Sequence, residues 1–351
     1  MAKERIQYFD ILKGVAIFLV VMGHVLTMCI REIDNAFLFK LIERVHMPIF
    51  FFIAGYFSYK ASFQSPNIVK RAIQLLLPFV IVSYLWVIYF PHSGLRSPLD
   101  STFSGLYLSE WKNGYWFTLV LFEICLLYSI ASFLLSRTNN NVLRTVFVVG
   151  LWLMLYVITE MVDEQIVNIL SLSLVVKFYP VFFFGVLCRD NVRLYNHISS
   201  RNGYLTLAII LGTTFFYVSA YSWEFDWIGK IILLAINIAL TVCVAFIAVR
   251  LAQVWSDKVY HKSPIGNRMS KIWTYMGRES LGIYMLHFFF LFPLTFLQQP
   301  MRDMGLGFVP CLVISIVFAA AIVAVTLGVN YIISQSKLLS LLLTGKNQYG
   351  R

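Results

Sequence analysis

A lysine and a histidine separated by ten residues, Lys13 and His24, stand in one apolar stretch, DILKGVAIFLVVMGH. Eleven steps of about 100° return a helix to within roughly 20° of its start, so both side chains share a face, roughly 16 Å apart along the axis. Asp10, three residues before Lys13, falls on the same stripe and predicts an ion pair with it. An ammonium low on the stripe suits an anion. An imidazole above it titrates near neutral pH and suits proton transfer. Ionisable groups within a span are costly in hydrocarbon and face a protein interior or a wet cavity. The bland alternative has Lys13 reaching for the headgroups and His24 bonding a neighbouring helix. It explains Lys13 alone better than it explains the pair on one stripe.

The elements that must hold these residues are membrane helices. The 351 residues are 59% hydrophobic and 13% charged, with a mean hydropathy of +0.76, against about 25% charged in soluble domains. About ten apolar runs reach the length that spans a bilayer: roughly 6–30, 37–59, 68–90, 114–136, 143–163, 166–188, 204–222, 228–250, 278–298 and 308–334. Lys and Arg gather at the N-terminus, in alternate loops and in the tail, which places both termini in the cytoplasm by the positive-inside rule. The expected fold is an all-α integral membrane protein, a bundle of about ten transmembrane helices forming a single multi-pass domain over 1–351. The formal charge of +11 sits in short loops, as topology signals and anionic-lipid contacts do, so nucleic acid is not an expected partner. Cys29, Cys125, Cys188, Cys243 and Cys311 have no paired spacing and read as small apolar fillers. The first run holds Lys13 and lacks a small-residue cleavage site, so it is expected to persist as a helix.

This topology gives each polar residue a height. Lys13, Lys70, Arg71 and Gln74 form a cationic, hydrogen-bonding layer at the cytoplasmic face, suited to phosphates. His24, His46, Glu123 and His287 form a second layer further out, suited to general acid–base work. Glu43 lies three residues before His46, close enough to orient it. Read singly, Lys70 is ordinary loop charge, and His46 and His287 are interhelical hydrogen-bonding groups. No close ligand spacing supports a metal at His24 and His46, and none is expected. The sequence holds no GxSxG, phosphate-loop or zincin motif. The loop 91–113 re-enters the membrane through Trp111, Tyr115 and Trp116, which serve either as an interfacial belt or as a sugar-binding mouth. The basic loop 251–277, with Pro264 and Gly266, suits a short amphipathic helix on anionic lipid or a place near a phosphorylated ligand.

Four stretches carry a resemblance over essentially the whole chain: DILKGVAIFLVVMGH, HMPIFFFIAGYF at 46–57, KRAIQLLLP at 70–78 and SLGIYMLH at 280–287. In this order they resemble the integral-membrane acyltransferase-3 family, bacterial enzymes that O-acylate surface polysaccharides and related glycans, in its stand-alone form without an appended hydrolase-like domain. The resemblance implies essential-type roles for Lys13 and His24. It also implies an Arg-x-x-Arg pair on the third helix, where this chain has Arg71 and Gln74, with Lys70 placed to compensate. The implied reaction moves an acyl group, expected to be acetyl, from acyl-CoA held by Lys13, Lys70, Arg71 and Gln74. The acceptor is a hydroxyl of a glycan or lipid-linked sugar, deprotonated by His24 with Glu123 or His46 supporting the ring. Membrane lipid is the other expected partner, and the oligomeric state, a homodimer included, is left open. The rival from another class is a transporter or flippase of a lipid-linked sugar. Against it stands the lack of repeat symmetry and of paired broken helices. An acyltransferase acting on a small molecule or peptide is a third reading.

Overall fold

The computed structural model describes residues 6–30, 36–58, 66–95, 102–135, 141–198, 200, 236, 239, 241–244, 246–254, 264–294, 296 and 308–346. All regular structure among them is helical. Six helices are long and apolar enough to cross a membrane: Gln7–Cys29, Ile68–His92, Trp116–Leu134, Val142–Met161, Leu172–Asp190 and Pro310–Ser334. Shorter apolar helices lie at Val45–Ser58, Thr241–Val254 and Ser280–Phe290. The expected span at 204–222 lies outside the described residues, as does most of 228–250. The expected run 166–188 is broken at Ser171, whose φ is +47°, into a short helix Glu164–Ile169 and a long one from Leu172. In the run 278–298 the helix stops at Phe290, where Leu291 turns extended. Pro293 stands two residues on; proline disfavours helix in the residue before it, here Phe292, and offers no N–H to continue one.

The helices are α1 Gln7–His24, α2 Ala36–Ser58, α3 Pro66–Tyr89, α4 Phe103–Leu108, α5 Trp116–Leu134, α6 Asn141–Met161, α7 Glu164–Ile169, α8 Leu172–Asp190, α9 Val192–Ile198, α10 Pro264–Arg278, α11 Ser280–Leu286, α12 Phe308–Ser334 and α13 Lys337–Thr344. Large apolar side chains on α6 and α12, such as Val146, Val157, Val317 and Ile332, are exposed, as lipid-facing positions must be. The residues form two compact units.

The first unit comprises Met1–Ala16, Arg44–Tyr59 and Lys177–Arg278. Its helices cross at glycines. A Cβ on Gly14 of α1 would stand 2.1 Å from the Trp273 carbonyl oxygen of α10, and one on Gly277 would stand 1.8 Å from the Asp10 carbonyl. α2 meets α8 in the same way, Gly55 against the Phe182 carbonyl and Gly185 against that of Phe52. Small residues let backbones approach where lipid supplies no hydrophobic drive for association. Around these crossings Phe51 stacks on Phe178 and Phe9 packs against Tyr56. α10 realises the amphipathic helix anticipated in the basic loop, with Ser270 and Met276 buried and Arg268, Lys271 and Tyr275 exposed.

The second unit comprises Ile17–Glu43, Lys60–Val176 and Glu279–Arg351. α3 packs along α5 and against α13, and α11 lies on α12. Glu279 Oε2 accepts hydrogen bonds from Asn330 Nδ2 and Lys346 Nζ, tying the start of α11 to the end of α12 and to the chain beyond α13. All five cysteines are buried and outside any disulfide, as the filler reading expects.

Candidate functional site

In the second unit the chemistry gathers where α1 ends. At His24 the helix widens into a π turn, Val25–Cys29, closed by Ile30 N–H donating to the Val25 carbonyl at 3.1 Å. Such turns re-aim the side chain beside them and recur at functional sites. The Cys29 carbonyl accepts from Leu294 N–H at 3.0 Å, which brings the segment after α11 to the same level.

The half-buried His24 ring lies 5.2 Å from the ring of His287 and 4.6 Å from that of Phe288. His287 is fully buried. Its Nδ1 lies 3.0 Å from the Ile283 carbonyl oxygen and 2.8 Å from that of Tyr284. Two carbonyl oxygens can be met only by a donor, so Nδ1 carries a hydrogen, and in the neutral ring Nε2 is the bare acceptor. That Nε2 finds no hydrogen-bond partner among the described residues. Buried polar atoms are seldom left so.

Aromatic side chains wall the pair. Phe288 sits 5.3 Å from Trp86 of α3 and 5.0 Å from Tyr115. Tyr284 donates to the Gly114 carbonyl at 2.7 Å and accepts from Phe117 N–H at 3.2 Å, while Tyr115 donates to the Met285 carbonyl at 3.3 Å. The chain entering α5 is thereby bolted to α11. A side chain on Gly114 would enter the Phe288 ring, with its Cβ 2.4 Å from Cζ.

The entering loop is itself unusual. Lys112, Asn113 and Gly114 hold φ of +46°, +54° and +94° in succession. Lys112 is 2% exposed, and its Nζ donates to the Tyr107 carbonyl at 2.9 Å and the Asn168 carbonyl at 2.8 Å. Burial pushes its ammonium down to about 8, against the upward pull of the Glu123 and Glu110 carboxylates.

Of the residues expected from sequence, His24 and His287 are brought together. Glu123, on α5, stands in the field of Lys112. Arg71 and Gln74 sit half-buried on α3, Arg71 directing Nη1 at the Cys125 sulfur of α5, while a Cβ on Gly345 would stand 2.1 Å from the Gln74 backbone oxygen. Lys70 is exposed one residue earlier. Lys13 and His46 belong to the first unit. There Lys13 pairs with Asp10 at 2.7 Å, as its spacing predicts, and Arg278 approaches the other oxygen of Asp10 at 3.6 Å. His46 is half-buried on α2, two residues before Pro48. No cluster of three or more His, Cys, Asp or Glu suited to a metal occurs among the described residues. Sequence reasoning missed Trp86, Phe288 and Lys112. The aromatics carry no signal within apolar runs. The Lys-Asn-Gly triplet does carry one, since Asn and Gly favour left-handed backbone.

A family model described as an acyltransferase domain matches residues 6–334. Nodulation protein NolL of Sinorhizobium fredii is 32% identical over 148 residues, 39% of this chain and 37% of that protein. Nodulation protein NolL of Mesorhizobium japonicum is 29% identical over 216 residues, 58% of this chain and 52% of that protein. The chain thus spans about half or less of the length of these curated relatives. No solved structure matches. With the family model reaching from the start of α1 to the end of α12, and six described helices fit to cross a bilayer, the chain belongs to the acyltransferase-3 family and is a multi-pass membrane protein.

Proposed function

We propose that the protein transfers an acetyl group from acetyl-CoA, drawn from the cytoplasm, to a hydroxyl of a surface glycan or lipid-linked sugar, with His24 as general base. The observation that carries this reading is the juxtaposition of His24 and the tautomer-fixed His287 within an aromatic box at a π turn. His24 takes the proton of the acceptor hydroxyl as its oxygen attacks the thioester carbon. The C–S bond breaks, and the imidazolium returns the proton to the departing thiolate, giving free CoA thiol and the O-acetyl ester. A covalent acetyl-His24 is the variant route.

The cation-bearing start of α3, with Lys70, Arg71 and Gln74, is a place for the donor's phosphates. Lys13 stands below His24 on the same helix, a rise that a flexible pantetheine arm can bridge. Glu123 is the further group that orients or recharges the base. In this reading the chain is one domain of about ten spans in a bacterial inner membrane with both termini cytoplasmic, as its loop charges indicate.

The test uses purified protein, radiolabelled acetyl-CoA and extracted surface glycan. His24→Ala is expected to abolish transfer while the protein remains folded, and full transfer by that variant would remove His24 from the mechanism. A transporter would move lipid-linked sugar and cleave no thioester.

A further inference from the structure

The outer side of α10 divides its chemistry into two flanks. Its inner side is pinned to α1, where Gly14 leaves room for the Trp273 carbonyl and Gly277 for that of Asp10. Backbone contact this close prevents the helix from rolling, and at about 100° per residue it fixes what the other side presents. Arg278, Lys271 and Arg268 are the three cations of the helix and all are exposed. They fall within an arc of roughly 80°. Tyr275 lies inside that arc, and Ile272 and Met269 carry the surface on over a further roughly 100°. These three are exposed as well, Ile272 to 54%. No Asp or Glu stands on the helix to balance the cations. Arg278 reaches Asp10 at 3.6 Å, but Asp10 is shared with Lys13 at 2.7 Å, so that group keeps a net positive charge.

We propose that this face of α10 docks on the headgroups of anionic phospholipid in the protein's own membrane. Arg268, Lys271 and Arg278 take the phosphates, while Ile272, Met269 and Tyr275 enter among the first acyl carbons. Cations on one flank and bulky apolar side chains on the next are what a helix lying in the interface requires. The level of the helix agrees. α1 belongs to a span that begins at Gln7, and the crossing residues Asp10 and Gly14 lie about 5 and about 10 Å along its axis from there. An interfacial helix buries its apolar face to about that depth. Charge selects the headgroup. A zwitterionic lipid brings a cation of its own beside the phosphate, whereas an anionic one leaves its charge for Arg and Lys. This role goes beyond the transfer reaction, since it sets the depth of α10 and, through Gly14 and Asp10, of the start of α1.

The experiment offers the full chain, purified in mild detergent, an equimolar mixture of phosphatidylglycerol and phosphatidylcholine with identical acyl chains, and counts bound lipids by native mass spectrometry. Phosphatidylglycerol is expected to be retained roughly tenfold over phosphatidylcholine. Arg268→Gln with Lys271→Gln should remove most of that preference, and either single change should lower it several-fold. Arg193→Gln, an exposed cation on α9, makes an equal change in charge elsewhere and should leave the preference in place. Ile272→Ser should weaken both lipids alike and keep their ratio. Equal retention of the two lipids in the wild type overturns the proposal. So does a preference that survives the double variant, or one that Arg193→Gln reduces as much. If Ile272→Ser weakens neither lipid, acyl chains do not cover the apolar flank and the docking surface is wrong. Both α10 cations are exposed, and if the double variant does not assemble the single ones carry the test.

Discussion

Replacing Lys112 by methionine tests whether the loop before α5 is held by a buried charge. Met keeps the length of the side chain and removes the ammonium. The wild-type Nζ makes two charge-assisted bonds to carbonyls, and losing them orphans two buried acceptors at about 1–3 kcal/mol each. Relief of desolvation offsets part of this, so a net loss on the order of 2 kcal/mol is expected at pH 7. The pH dependence separates charge from packing. Burial lowers the folded-state value from 10.5 to about 8, so between those values the unfolded chain binds more protons than the native one. Stability contributed by Lys112 therefore rises with pH across that window and is flat below it. At about 1.4 kcal/mol per pH unit, the wild type gains up to roughly 3 kcal/mol relative to Lys112→Met between pH 8 and pH 10.5. Melting of both proteins in one detergent, followed by tryptophan fluorescence at half-unit pH steps, measures the divergence. Parallel curves would refute the buried ammonium. Curves that converge as pH rises would show instead that Lys112 is held charged by its carboxylate neighbours.

Further outcomes follow from the first unit. Gly277→Ala drives a Cβ into the Asp10 carbonyl and is expected to abolish folded protein in membranes, whereas Gly150→Ala on α6 meets nothing within 4 Å and should express as wild type. Fluorescence-detected size exclusion distinguishes them. Asp10→Asn leaves Lys13 and Arg278 facing an uncharged amide, and should lower stability by on the order of 1–3 kcal/mol in a thermal-shift measurement.

What the sequence makes legible here is what periodicity and charge can encode. The Asp10–Lys13 pair follows from a three-residue spacing on one helix, and the structure holds it at 2.7 Å. The amphipathic α10 follows from a basic stretch beginning at Pro264. The juxtaposition of His24 with His287 does not follow from either, because the two lie on elements far apart in the chain and helix–helix register is set by packing. Their shared membership of a depth layer was accessible, but not the 5.2 Å between their rings. Glu123 shows the limit most clearly. Depth places it with the histidines but does not reveal that it also stands in the field of Lys112, whose burial depends on the left-handed turn and on the Asn168 carbonyl beyond α6. The break at Ser171 was hidden for a related reason, since an apolar run long enough to span says nothing about a single residue forced to positive φ.

The tautomer of His287 divides two roles that one ring could otherwise be asked to play, and side chains of different length can separate them. Asparagine places its amide near the position of Nδ1, and glutamine places its amide near that of Nε2. His287→Asn therefore keeps a donor for the Ile283 and Tyr284 carbonyls and deletes the bare acceptor beside His24. His287→Gln does the reverse. If the acceptor at Nε2 takes part in proton handling, the Asn variant melts near the wild type but loses roughly 10²–10⁴ in kcat. The Gln variant is less stable by about 1–3 kcal/mol through its unpaired carbonyls and keeps more of the rate. A purely structural His287 predicts the opposite order, with activity tracking stability and the Asn variant the more active. Measuring kcat and melting temperature on the same two preparations decides between them, because no common loss of folding can produce opposite rankings in the two quantities.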